Sequence, residues 1–283
     1  MIRIITDTTA GLPQEVAQRH NIPVIPQSIV FGSTSFREGV ELDIPGFMQR
    51  LLTSRELPKT AAPPPEWFVD EFRRILQPGD TVLCIHPSAE VSGTVRSAQV
   101  AALEFPGADI RVIDTRVIGS PLATLVQLAA EWAAAGEPAD TIETRLRDLI
   151  ARARVYFLVP TLEYLARGGR IGGASALLGS VLQVKPILAV RDGRVESHAR
   201  VRTQRRALEF LKEEIVTQCP RGAAGHLSVM HASVPDEARA LADDLRGRLG
   251  LPAEVPIPIL DVPPAIVTHA GPGVLAAGFF VEK

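Results

Sequence analysis

The chain has 283 residues, of which 46% are hydrophobic and 22% charged, and its formal net charge is −2 at pH 7. That length fits two domains or one large one with ample core material, and the balanced charge argues against nucleic acid as a partner, since phosphate binding needs a basic surface. Its two cysteines, Cys84 and Cys219, form no C-x-x-C, which sets aside a disulfide framework or a zinc site and fits a reducing cytosol.

In chain order, "IRIIT" reads as a strand ending in Thr6-Asp7-Thr8-Thr9, and Pro13 opens a helix in "PQEVAQRH". The opening "MIRIITDTTA" lacks the basic region and long apolar run of a signal peptide. A second extended run, "IPVIPQSIVF", is followed by Asp43, placed to cap "IPGFMQRLL" with Pro45 early in the helix. The Pro-rich "TAAPPPE" feeds a helix with Trp67, Phe68, Phe72 and Ile75 near one face. A strand "TVLCIH", a helix "SGTVRSAQVAALEF", a strand "IRVIDT" and two helices to about Ala153 complete this half. Short apolar strands alternating with helices predict a mostly parallel sheet with helices on both faces.

After "VYFLVP" the rhythm changes. A short helix "TLEYLAR" ends at Gly168-Gly169, and a second, "SALLGSVLQ", follows. "KPILAVRDGRVESHARV" reads as two strands turned by Asp192-Gly193, a hairpin signal. A helix from about Thr203 to Cys219, a strand "LSVMHA", a helix "PDEARALADDLRGRLG" and closing strands make an α+β domain whose sheet is at least partly antiparallel. The expected division is therefore α/β for residues 1–160 and a smaller α+β domain for 161–283. "VPPAIVTHAGPGVLAAGFFV" is long enough to span a bilayer, but its prolines, glycines and His269 make it read as two strands. The protein is expected to be soluble.

Four sets of residues carry candidate chemistry, each beside a plainer reading. Ser92-Gly93-Thr94 opens a helix at the carboxyl edge of the first sheet; Ser92 is a good N-cap, and Gly93 lets an anion approach the backbone N–H groups. Taken alone, the tripeptide is explained more simply as a plain cap. Thr60 precedes the Pro-rich loop at a sheet edge, where a loop hydroxyl satisfying the backbone is the alternative. "GGRIGG" marks a tight, irregular backbone carrying an exposed Arg170 guanidinium, suited to carboxylate or phosphate, or simply facing solvent; Arg202 stands before a helix that Thr203 can cap. His269 lies at the lip of a Gly-Pro-Gly turn. Asp7 in "TDTT" sits where an aspartyl-phosphate nucleophile would, but the second acid of that chemistry falls at Thr9. "GPGVLA" has too few residues after it for a dinucleotide fold, Ser92 lacks the G-x-S-x-G elbow, and the histidines show no ligand spacing.

Together these segments resemble the DegV family, whose members bind long-chain fatty acids. The likeness runs through "IITDTTAGLP", "KTAAP", "VSGTVRSA", "VIDTRVIGS", "VPTLEYLARGGRIGG", "QVKPILAVRDGRV", "VRTQRRAL" and "THAGPGVLAAGF". It implies an α/β domain joined to a smaller α+β domain with the fatty acid held between them, and no other cofactor. Like the fatty-acid-binding subunit of bacterial fatty-acid kinase, the chain would be a cytoplasmic carrier, not an enzyme, presenting an acid such as palmitate to a separate kinase for phospholipid synthesis. Thr60, Ser92 and Gly93 would hold the carboxylate with His269 in the same polar cluster, and Arg170 and Arg202 would face the kinase or phosphate. Delivery of such a cargo implies transient membrane contact. The family often has Ser-Gln-Pro where this chain has Ala61-Ala62-Pro63, so two polar side chains are missing beside the expected site. Leu177, Leu178, Val181 and Leu182 are candidates to line the acyl chain, with helix packing as the plainer role. The alternatives are a hydrolase using Ser92 and His269, or a lipid-sensing regulator.

Overall fold

Short apolar strands separated by amphipathic helices build the first part of the molecule. In the computed structural model, residues 1–54, 56–178 and 184–283 are described. Here the chain runs β1 (Ile2–Asp7), α1 (Gln14–Arg19), β2 (Val24–Ile25), β3 (Ser28–Phe31), β4 (Thr34–Arg37), α2 (Ile44–Thr53) and β5 (Lys59–Ala61). It continues through α3 (Pro65–Ile75), β6 (Thr81–His86), α4 (Thr94–Ala102), β7 (Asp109–Asp114), α5 (Ser120–Ala134) and α6 (Ala139–Arg152). Two units emerge: Met1–Ile118, Leu122–Ala151 and Pro263–Ala265 form one, and Gly119–Pro121, Arg152–Val262 and Ile266–Lys283 the other.

The first unit holds the expected parallel sheet, in the order β2-β1-β6-β7. Residues Val82 to His86 of β6 are all buried, as a parallel strand covered on both faces requires. Phe68, Val69 and Phe72 of α3 and Ala98 and Ala101 of α4 pack with Ile5, Val82 and Cys84. Asp43 caps α2 by accepting the Gly46 N–H at 2.8 Å, as its position before Pro45 predicts. A second, antiparallel sheet, β4-β3-β5, is not foreseen by the sequence reading. It places Thr60 inside β5, paired with Ile29 of β3, and not in a loop.

The second unit runs β8 (Ala153–Leu158), α7 (Glu163–Arg167), β9 (Lys185–Arg191), β10 (Arg194–Val201), α8 (Gln204–Gln218) and β11 (Ser228–His231). Helix α9 (Pro235–Leu249), β12 (Ile259–Asp261), α10 (Pro264–Ala270) and β13 (Leu275–Phe280) complete the chain. The sheet order is β10-β9-β8-β13-β11-β12, antiparallel throughout except for β11 with β12. Asp192 and Gly193, with φ of 49° and 81°, make the tight turn between β9 and β10.

One expected element differs, and another is only partly described. Of the expected helix "SALLGSVLQ", residues 175–177 lie in a 3-10 turn over Gly172–Leu177, and residues 179–183, with Val181 and Leu182, fall outside the described residues; Leu177 is buried and Leu178 half exposed. The run "PAIVTHA" is a helix, α10, and not a strand. Its β-branched residues favour extension, but a distant cap decides: the Glu38 carboxylate accepts the Ala265 N–H at 2.9 Å. Gly271, at φ 83°, ends the helix by donating its N–H to the Val267 carbonyl.

Candidate functional site

Strands β1 and β6 are neighbours, and β2 and β7 lie on their outer sides, so the strand order reverses between them. In open parallel sheets ligands bind outside the carboxyl ends of the strands at such a switch point. Here those ends carry Asp7 and His86, both fully buried, with the His86 Nδ1 2.8 Å from Asp7 Oδ2. The other oxygen, Asp7 Oδ1, accepts the Thr9 N–H (3.0 Å), the Thr9 hydroxyl (2.6 Å) and an N–H of the Gln27 amide (3.0 Å). Asp7 thus anchors the edge, and its burial beneath these donors leaves it no room to act as an exposed nucleophile.

From Asp7 a polar chain runs outward. The same Gln27 amide nitrogen donates to Thr94 Oγ1 at 2.8 Å, and Thr94 Oγ1 lies 2.8 Å from Ser92 Oγ. Gln27 and Thr94 are buried, whereas Ser92 is half-buried and Gly93 exposed. Helix α4 takes Gly93 as its N-cap with no side-chain cap, so Ser92 is not the cap that the sequence suggests. The Ser92 hydroxyl instead accepts the Thr94 N–H at 3.3 Å from one residue further out. A Cβ on Gly93 would stand 3.2 Å from that of Ala62, which places the α4 entry against the segment just after Thr60. Thr60 is half-buried. This unit therefore brings the Gly93 turn against Ala62, one residue past the end of β5.

Beside it, Glu38 is buried and accepts hydrogen bonds from the Thr8 hydroxyl and from Ala265 N–H. Burial pushes its carboxyl up to about 7; the two hydrogen bonds oppose that rise, and the nearby Asp7 charge adds to it.

The second unit gathers a different pair. Arg170 Nη1 donates to the Gly168 carbonyl at 2.8 Å, so the guanidinium is folded back and half-buried, and not fully exposed as "GGRIGG" suggests. His269, in the last turn of α10, packs where a side chain on Gly168 would stand. Burial, and secondarily the Arg170 charge, lower the imidazole to about 4, so the ring is neutral at physiological pH. The glycines have contacts of their own: a Cβ at Gly172 would meet the Val195 carbonyl, and one at Gly173 the Glu196 carboxylate. Arg202 is exposed just before α8, where Thr203 accepts the Arg206 N–H at 3.2 Å.

Burial pushes the Cys219 thiol up to about 11 and the Cys84 thiol higher still, so neither supplies a thiolate nucleophile. Among the described residues no group of three His, Cys, Asp or Glu could hold a metal, and no helix is long and apolar enough to cross a membrane.

These features define a two-unit α/β protein whose parallel sheet collects hydroxyl and amide groups at its carboxyl edge. The family model described as "Uncharacterised protein, DegV family" matches residues 1–282. A DegV domain-containing protein of Streptomyces coelicolor is 41% identical over 275 residues, covering 97% of this chain and 96% of that one. Among solved structures, a DegV family protein from Thermus thermophilus, described for its fatty acid binding, has a TM-score of 0.90 and 31% identity, with 99% of each chain covered. A fatty acid binding DegV family protein from Streptococcus agalactiae has a TM-score of 0.88 and 28% identity over 100% of this chain and 99% of that one. The chain belongs to the DegV family.

Gln27, His86 and Glu38 are the residues that sequence reasoning missed, and Thr94 was read there only as part of the helix start. The signal for His86 was present: like Asp7, it ends an apolar strand at the edge where α/β sheets place their chemistry.

Proposed function

We propose that the chain binds a long-chain fatty acid such as palmitate and presents its carboxyl group to a separate fatty-acid kinase, which forms the acyl phosphate. The observation that carries this reading is the Ser92–Thr94 hydroxyl pair at the uncapped start of α4. It stands in a chain whose structural relatives from Thermus thermophilus and Streptococcus agalactiae are fatty-acid-binding proteins. A 16-carbon acid gains on the order of 10 kcal/mol from burial at roughly 0.8 kcal/mol per methylene. Removing its carboxylate from water costs several kcal/mol unless hydrogen bonds replace the lost hydration. Hydroxyls, a helix N-terminus and a neutral imidazole supply donors without burying a second charge.

In this reading Thr60, Ser92, the Gly93 N–H and His269 hold the carboxylate, and Arg170 and Arg202 serve the phosphate or the kinase. The protein is a cytoplasmic carrier that visits membranes to exchange cargo and has no activity of its own. The hydrolase alternative would pair Ser92 with His269; in the first unit the Ser92 hydroxyl is engaged by Thr94. Incubating the palmitate-loaded chain with a bacterial fatty-acid kinase and ATP tests the proposal. Acyl phosphate should form only with both proteins present. Turnover by the chain alone, or none with the kinase, overturns it; binding of palmitate without phosphorylation would instead fit a lipid-sensing regulator.

A further inference from the structure

We infer that the Asp7–Gln27–Thr94 chain is a polarity device that fixes the Ser92 hydroxyl as a donor toward the ligand, so that Gln27 and Thr94 are positioning residues for selecting an acidic head group. The inference rests on the fatty-acid reading of Ser92 and adds to it a reason for head-group choice.

The direction of each hydrogen bond follows from the one before. Asp7 Oδ1 accepts from Thr9 N–H, an unambiguous donor, and from the Thr9 hydroxyl. An oxygen that already takes these two donors is acting as an acceptor. The Gln27 amide must therefore turn its NH2 group to Asp7, which resolves the usual ambiguity between amide oxygen and nitrogen. The second N–H of that nitrogen goes to Thr94 Oγ1 at 2.8 Å. Thr94 is fully buried, and its hydroxyl oxygen has Ser92 Oγ as its other neighbour, also at 2.8 Å. Having accepted from Gln27, Thr94 has its own proton to place, and Ser92 Oγ is the acceptor within reach. Ser92 Oγ then accepts twice, from the Thr94 hydroxyl and from the Thr94 N–H at 3.3 Å.

A hydroxyl has two lone pairs and one proton. With both lone pairs engaged, the half-buried Ser92 has only its O–H to offer outward. A head group that meets it must accept, as a carboxylate does, whereas an alcohol competes through its oxygen alone and without charge assistance. The anchoring charge of Asp7 is thus relayed as orientation, not as field, across Gln27 and Thr94.

Thr94→Val keeps the buried shape and removes the hydroxyl; Gln27→Met keeps the length and removes both donors. Each variant frees a lone pair of Ser92 or lets the Thr94 proton turn, so Ser92 can accept as well as donate. Palmitate and hexadecan-1-ol are titrated against wild type and both variants, with thermal unfolding run in parallel to confirm that each is folded. Wild type should favour palmitate, and each variant should lower the palmitate-to-hexadecanol affinity ratio by roughly tenfold, with hexadecanol binding nearly unchanged. Folded variants that keep the wild-type ratio, or that lose both ligands equally, overturn the polarity device. A wild type that binds neither ligand overturns the fatty-acid reading instead, so the two failures are distinct. Should Thr94→Val not fold, Gln27→Met carries the same test.

Discussion

The imidazole of His269 occupies the space that a side chain at residue 168 would need: a Cβ on Gly168 would lie 2.1 Å from His269 Nδ1. Gly168 has helical backbone angles, with φ −76° and ψ −8°, so an alanine there meets no backbone strain and acts through contact alone. Gly168→Ala should displace the ring, destabilise the fold by about 1–3 kcal/mol, and reduce palmitate retention. Denaturant unfolding and lipid titration of the variant measure both. An unchanged midpoint with full retention would show that the ring has another position available.

Neighbouring glycines should respond unequally to the same change. Gly172 has φ 51°, and its Cβ would stand 2.2 Å from the Val195 backbone carbonyl; at Gly173 the obstacle is the flexible Glu196 carboxylate. Backbone cannot yield cheaply, whereas a side-chain end can. Gly172→Ala should cost about 2 kcal/mol or more and Gly173→Ala less than about 1 kcal/mol. Paired chemical denaturation curves check the order, and a larger loss at Gly173 would contradict it.

Glu38 and His269 make stability depend on pH in opposite senses. Glu38 rises from 4.5 to about 7 on folding, so the native state binds more protons in that window and stability falls as pH increases through it. His269 falls from 6.5 to about 4, so the unfolded state binds more protons and stability falls as pH decreases through that window. Glu38→Gln should remove the first slope. Relative to wild type, the variant should gain up to about 3 kcal/mol between pH 4 and pH 8, at roughly 1.4 kcal/mol per pK unit. Unfolding curves at both pH values supply the comparison; parallel pH profiles would show that Glu38 does not titrate there.

Arg170 is expected to divide its effects. Arg170→Ala should leave palmitate binding largely intact and weaken phosphorylation by the kinase. It should also raise the His269 titration point modestly, because the Arg170 charge is the lesser cause of its depression and burial the greater. Imidazole titration by NMR and a phosphorylation assay read the two effects separately. Equal loss of binding and phosphorylation would sink the division of roles.

Local chemistry made much of the fold legible. Asp43 before Pro45, Asp192-Gly193 between alternating runs, and the apolar "TVLCIH" each act within a few residues, and each element stands where its signal placed it. Helix α10 was not legible, because its first N–H group is held by Glu38, 227 residues away in sequence. The strand around Thr60 depends likewise on pairing with β3, which no local periodicity announces in three residues. The turn at Ser92 and Gly93 was legible from its place after a strand and before a helix. Gln27 was not: a lone glutamine in "IPQSIV" shows its meaning only when Asp7 and Thr94 close around it.

Native mass spectrometry of the chain purified without detergent, with the bound species extracted and identified, tests whether it carries a fatty acid. One long-chain fatty acid per chain is expected, displaced in wild type by added palmitate and lost when Ser92 is replaced by alanine. A chain that is empty on isolation, and stays empty when fatty acids of several lengths are offered, would contradict it.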